Sequence, residues 1–248
     1  MAGLMLVGMA AVWFTPEPGG IRLLEPLPGG SALARVVAWL KRAVVAPFAD
    51  MLGRRGALAI LCFVILYKFG DALAGTMSNP LYVSLGFTKV EVANIGKAYG
   101  FVANLAGLAA GGVVVLRLGI LPALLICGVL QMLSNLMYVL QAWAGHDLPI
   151  LALTIGIENL TGGMGSAAFV AYLSGLCNLA FTATQYALLT SLAAVGRTTL
   201  SASGGALADA LGWSPFFALA TAACLPGLVL LAWIMRLELA LPQTAEER

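Results

Sequence analysis

Glu158 and Asn159 are followed by three glycines, Gly162, Gly163 and Gly165, inside an apolar run long enough to cross a bilayer. A charged side chain in hydrocarbon costs about 2.5–3.5 kcal/mol on insertion scales, so it is kept where it faces a cavity, a partner or a substrate. The glycines weaken the helix beside it and predict a flexible, discontinuous segment whose freed backbone groups line a binding site. Four more charges, Lys68, Asp71, Lys97 and Arg197, lie in comparable apolar runs. Counted back from the outer end of each run at about 1.5 Å per residue, Asp71, Lys97, Glu158 and Arg197 lie roughly 10–14 Å deep, with Lys68 one turn further in. Three cations against two carboxylates favour an anionic ligand, and a carboxylate near cations can exchange a proton when its surroundings change. Glu158 and Asp71 are therefore candidate proton-coupling residues. Lys68, Lys97, Asn159 and Arg197 are candidate ligand binders, Lys97 and Arg197 for a carboxylate in particular.

Plainer readings stand beside this one. Lys68 and Asp71, three residues apart on one helix face, can satisfy each other. Arg197 can snorkel to the interface. Gln131 and Asn135 suit hydrogen bonds to a neighbouring helix, and Gly107, Gly111 and Gly112 suit close helix contact. Tyr67, Tyr99, Tyr138 and Tyr186 fit a sugar-binding path or simple packing. No nucleophile is paired with a histidine base, and there is no phosphate-binding glycine loop, so enzymatic chemistry is not expected. His146 is the single histidine, which excludes a multi-histidine metal site. The four cysteines, Cys62, Cys127, Cys177 and Cys224, stand alone in apolar runs and read as packing residues. No cofactor is implied.

The elements that must position these residues are set by composition. Of 248 residues, 61% are hydrophobic and 10% charged, with a mean hydropathy of +0.97, which describes an all-α polytopic membrane protein. A net charge of +2 without a basic block gives nucleic-acid binding no support. Residues 1–14 form an apolar segment too short to span and read as the tail of an incomplete transmembrane helix. A signal peptide would need a basic start and a small-residue cleavage site in place of Thr15-Pro16-Glu17-Pro18. Residues 15–56 read as a cytoplasmic linker rich in proline and glycine pairs. Within it Leu33, Val36, Val37, Leu40, Val44, Phe48 and Met51 make an amphipathic helix that lies on the membrane face or packs under the bundle.

Six apolar runs follow within 57–237, at about 57–78, 89–116, 119–142, 149–176, 184–207 and 215–235, and predict six transmembrane helices. Residues 238–248 read as a cytoplasmic tail. With the segment before residue 57 inside, Arg22, Arg35, Lys41, Arg42, Arg54, Arg55, Arg117, Arg236 and Arg248 are cytoplasmic and Lys89 is outside. That bias places both termini in the cytoplasm. The runs divide into two triplets: Lys68 and Asp71 on the first helix of one match Glu158 and Asn159 on the first of the other, and Lys97 matches Arg197 on the second. This matching of charges resembles the 3+3 inverted repeat found within each half of a major-facilitator transporter.

Several strings carry a resemblance to one family. They are residues 66–72 (Leu-Tyr-Lys-Phe-Gly-Asp-Ala), 157–165 around Glu158, 168–171, 181–189, and Ala194-Val195-Gly196-Arg197, with residues 43–48 and Asp50 before the first full helix. In these strings the chain resembles the AmpG family of muropeptide permeases, a branch of the major facilitator superfamily. The resemblance implies a multi-pass inner-membrane protein that imports anhydromuropeptides, the sugar-peptide fragments of wall turnover, by proton symport. It also implies a link to peptidoglycan recycling and to β-lactamase induction and β-lactam resistance. The acetyl-CoA transporters share the fold and also carry an anion. Members of the family have a further amino-terminal six-helix half, of which this sequence resembles only the end. The chain is therefore expected to be a partial transporter that does not transport alone, with a stand-alone six-helix interaction protein as the alternative.

Overall fold

The computed structural model describes residues 45–53, 56–177 and 181–240, with the side chains of 238–240 excepted. The expected helix tail of residues 1–14, most of the linker and its amphipathic helix, and the tail after residue 240 lie outside the described residues.

Every described regular element is helical. A short helix α1 (Ala46–Leu52) carries Pro47 in its first turn, where no hydrogen bond is lost. Then come α2 (Ala57–Leu66) and α3 (Phe69–Ser84), α4 (Lys89–Asn94), a π-helical turn over Ile95–Gly100, and α5 (Phe101–Leu118). Next are α6 (Ile120–Ser134), α7 (Leu136–Ala144), α8 (Leu148–Leu176), α9 (Thr182–Ser201), α10 (Gly204–Leu211), α11 (Trp213–Ala222) and α12 (Leu225–Ala240). Turns between long helices fall where the chemistry demands: Gly86, Gly119, Gly145 and Gly212 all adopt positive φ. Thr88 and Glu91 form a reciprocal capping box at the start of α4.

Each of the six expected runs is helical, but by length and composition four of the described helices can cross a membrane: Ala57–Ser84, Lys89–Leu118, Ile120–Ala144 and Trp213–Leu237. The run of α8 and that of α9–α10 are not among them. Glu158, Asn159 and the glycines dilute α8, and a series of threonines and serines with Gln185 and Arg197 dilutes α9. These are the helices that carry much of the polar chemistry.

The helix irregularities are not where the glycines predict them. Helix α8 runs 29 residues without a break through Gly162, Gly163 and Gly165. The interruptions fall instead at Tyr67–Lys68, at the π turn, at Asn135, at Ala202–Ser203 and at Ala223–Cys224. Gly163 and Gly165 sit at close contacts, whereas a Cβ on Gly162 would meet only Gln131 Nε2 at 3.7 Å. A Cβ on Gly163 would strike the carbonyl of Asn104, and Cβ atoms on Gly107 and Gly111 would strike the backbone of Leu160 and Met164. Helices α5 and α8 thus pack backbone to backbone, as small residues allow in membranes. Gly112 meets nothing.

Two apolar clusters hold the bundle. Phe63, Tyr67, Leu124, Cys127, Phe169, Tyr172 and Leu231 belong to one, and Leu73, Leu81, Tyr82, Tyr138, Leu151, Phe216 and Phe217 to the other. Tyr67 stacks on Phe169 at 5.2 Å and Tyr138 on Phe217 at 4.8 Å, contacts worth about 0.5–1.5 kcal/mol each beyond burial. Along α2–α3, α6–α7 and α11–α12 the residues between the two clusters are Lys68 and Asp71, Gln131 and Asn135, and Cys224. The polar residues form a layer between two apolar ones.

Candidate functional site

The Tyr67–Lys68 interruption positions the first cation. Lys68 is the residue before α3, with φ −100° and ψ 7°, so its side chain leaves the helix line near Asp71 of the first turn. Its ammonium lies 3.7 Å from Asp71 Oδ2 and donates a 3.0 Å hydrogen bond to Gln131 Oε1 on α6. Gly165 of α8 makes room for this contact, because a Cβ there would strike Gln131 Oε1 and lie 3.5 Å from Lys68 Nζ. The ammonium therefore joins α3 to α6, with α8 packed close against it at Gly165.

Glu158, on α8, faces the same space, with Asp71, Lys68, Ser134 and Tyr138 as its charged and hydroxyl-bearing neighbours. Its Oε1 is buried without a hydrogen-bond partner. Around these residues lies a cavity of about 260 Å³, lined by Lys68, Asp71, Asn104, Gln131, Tyr138, Glu158, Asn159, Gly162 and Ser166. Behind it the layer continues as hydrogen bonds: Thr161 donates to Ser134 Oγ at 2.9 Å, and Asn135 Nδ2 approaches Cys224 Sγ at 3.6 Å. Gly70 lets α3 reach Cys224 and the carbonyl of Ala220, so the interruptions at Lys68, Asn135 and Cys224 pack on one another.

A second cavity of about 200 Å³ shares Lys68 and Ser166 with the first and is lined also by Phe169, Tyr186, Thr190 and Arg197. Arg197 thus stands beside the polar cavity and is itself exposed. Lys97 lines neither cavity and is also exposed. It stands seven residues before Asn104, a spacing that shares one face in an unbroken α-helix. The π turn over Ile95–Gly100 changes the helical phase between them. The expected convergence of five charges is accordingly narrower. One cation and two carboxylates line the first cavity, so the cationic excess inferred from sequence is not found in its lining.

Gln131, Asn104 and Ser166 were not singled out as ligand contacts by the sequence, and Tyr138 only as one of four tyrosines that fit a sugar-binding path or simple packing. Gln131 read as a helix-packing residue, and the signal that pointed further was its position between the runs carrying Lys68 and Glu158. Of the four tyrosines, Tyr138 and Tyr186 line the two cavities, whereas Tyr67 is a core residue that donates to the Leu124 carbonyl at 3.0 Å. Tyr99 is exposed, its hydroxyl against Gly156. Cys127 and Cys224 are buried, as packing residues are, but Cys62 is exposed. His146 lies 3.5 Å from Glu91 Oε2 with its ring on Phe87, which ties a loop rather than a site.

A charged, amide-lined cavity inside apolar helices is what a permease for a polar solute requires. Comparison with known proteins agrees. Over 232 residues, 93% of its length, the chain is 40% identical to the anhydromuropeptide permease of Escherichia coli strain K12 and covers 45% of that protein. The chain is related to the AmpG-type permeases. A putative transporter AmpG 4 of Rickettsia felis is 38% identical over 205 residues, 82% of this chain and 49% of that protein. A putative transporter AmpG 3 of Rickettsia prowazekii is 41% identical over 160 residues, 64% of this chain and 38% of that protein. The chain spans about half the length of the curated AmpG-type relatives it matches. No family model matches it.

Proposed function

We propose that this chain is the carboxy-terminal half of a proton-coupled importer of anhydromuropeptides, its residues 57–237 forming six membrane-crossing segments in two inverted triplets. The observation that carries the reading is the cavity built by Lys68, Asp71, Gln131 and Glu158 inside apolar helices, in a chain 40% identical over 93% of its length to an anhydromuropeptide permease. Glu158 and Asp71 exchange the driving proton with water reaching the cavity. Arg197, with Lys68 behind it, receives the substrate's carboxylates in the adjoining cavity. Lys97 offers its charge on the exposed face of its helix, toward the pathway.

A transport pathway of this kind runs between two halves, and this chain supplies one wall. A second six-helix half, on the same polypeptide or another, supplies the other. The protein resides in the inner membrane with both ends of the six-helix unit cytoplasmic, a reading that the excess of lysine and arginine on that side supports. Import returns wall fragments to the cytoplasm, where their concentration governs β-lactamase induction.

The test is uptake of radiolabelled anhydromuropeptide by cells lacking their own permease. The expected result is accumulation, abolished by a protonophore, when the chain is produced with a second half, and none when it is produced alone. Absence of uptake under both conditions would overturn the transport reading.

A further inference from the structure

Three helical runs are interrupted at one level, between the two apolar clusters: at Tyr67–Lys68 between α2 and α3, at Asn135 between α6 and α7, and at Ala223–Cys224 between α11 and α12. Breaks in apolar helices are tolerated where neighbouring helices cover the freed backbone. Here the breaks cover one another. Gly70 of α3 has no Cβ to strike Cys224 Sγ and the Ala220 carbonyl, and Gly227 of α12 has none to strike the Leu66 carbonyl and Tyr67. The third break joins through Asn135 Nδ2, 3.6 Å from Cys224 Sγ.

The layer differs from the blocks on either side of it. Phe63, Leu124 and Leu231 are fully buried in one cluster and Leu151, Phe216 and Phe217 in the other, and interiors packed in this way deform little. Between them lie three buried side-chain atoms that have no hydrogen-bond partner among the described residues: Gln131 Nε2, Asn135 Oδ1 and Glu158 Oε1. Unmatched buried groups are costly, so a layer that leaves one donor and two acceptors unpaired gains by any shift that pairs them. Helix α8 crosses the layer unbroken, with Leu151 and Ile155 in one cluster and Phe169 and Leu173 in the other.

We propose that the polar layer is a hinge inside this chain. Helices α3, α7 and α11 bend as one block against α2, α6 and α12, with α8 as the spine, and Gln131, Asn135 and Glu158 exchange hydrogen-bond partners between two arrangements. Lys68, Asn135 and Cys224, at the ends of elements, absorb the backbone rotation, and the glycine contacts at Gly70 and Gly227 permit the shift. The bend lies within one half, apart from any motion of one half against another. It goes beyond the transport reading and stands without it.

The test is double electron–electron resonance on the full chain in lipid nanodiscs, with Cys62→Ser and Cys177→Ser leaving only buried native cysteines. Spin labels are placed in pairs at Leu58→Cys and Val229→Cys in one block and at Val83→Cys and Leu219→Cys in the other, all exposed positions. The pairs Leu58 with Leu219 and Val83 with Val229 cross the layer and are expected to show two distances. The pairs within a block, Leu58 with Val229 and Val83 with Leu219, are expected to show one. Asn135→Leu removes an acceptor that only the second arrangement pairs, and is expected to reduce the two cross-layer distances to one. Thermal unfolding in the nanodisc confirms that each variant is folded. A single cross-layer distance in the unaltered layer, two distances within a block, or two cross-layer distances unchanged in folded Asn135→Leu would overturn the hinge. Two cross-layer distances in a chain that supports no muropeptide uptake would uphold the hinge and count against the transport reading alone.

Discussion

At the scale of single residues, the polar layer is held by contacts that tolerate little change. Gly165→Ala would place a methyl group against Gln131 Oε1 and close to Lys68 Nζ, pushing apart the bond that joins α3 to α6. The expected outcome is a fall in substrate affinity of roughly tenfold, about 1.4 kcal/mol, read as a raised KM for uptake, with the protein still folded. Unchanged KM would mean that the Lys68–Gln131 contact does not shape the site. The charges themselves were legible in the sequence, since a carboxylate and lysines in apolar runs stand out by cost. Their grouping was legible only in part. Depth along a helix follows from counting residues, but the face does not once a π turn intervenes, and so Lys97 falls away from Asn104. Gln131 carried no such signal, because a neutral amide in a membrane helix usually serves packing.

At the scale of elements, close approach of α5 and α8 fixes where Glu158 and Asn159 stand. Gly107→Ala would drive its methyl into the Leu160 backbone. Overpacking of this kind costs about 1–3 kcal/mol, so the expected outcome is a clear drop in thermal stability in detergent, with no comparable effect of Gly112→Ala, where space is open. Helix α1 is anchored differently. The buried Gln185 of α9 donates to Asp50 Oδ2 at 2.8 Å and to the Pro47 carbonyl at 3.2 Å. Gln185→Leu removes both donors and is expected to speed hydrogen exchange of the α1 amides relative to those of α9. Equal protection would show that packing alone holds the helix. The helices themselves were legible from apolar periodicity and length. Their interruptions were not, because Gly163 and Gly165, which read as breakers of α8, sit at close contacts instead, while Lys68 and Asn135 give no local sign of a break and the Pro226-Gly227 pair just after Cys224 was not read as one.

At the scale of the whole molecule, apolar clusters above and below enclose one polar layer, and the ion-coupled function proposed for it rests on Glu158. The helix pattern and the family were readable in the sequence from several long strings. The number of membrane-crossing segments was less so, since the two polar runs that complete the expected six are those least apolar by composition. If Glu158 carries the coupling proton, then Glu158→Gln removes that role and little else, because the amide has nearly the same shape, keeps an acceptor oxygen and cannot ionise. The decisive measurement is uptake of labelled anhydromuropeptide by the assembled transporter carrying Glu158→Gln, in two modes: accumulation driven by a proton gradient, and exchange of labelled for unlabelled substrate with no gradient. The account predicts that accumulation is lost while exchange persists within a few-fold of wild type. Accumulation at the wild-type level would contradict it.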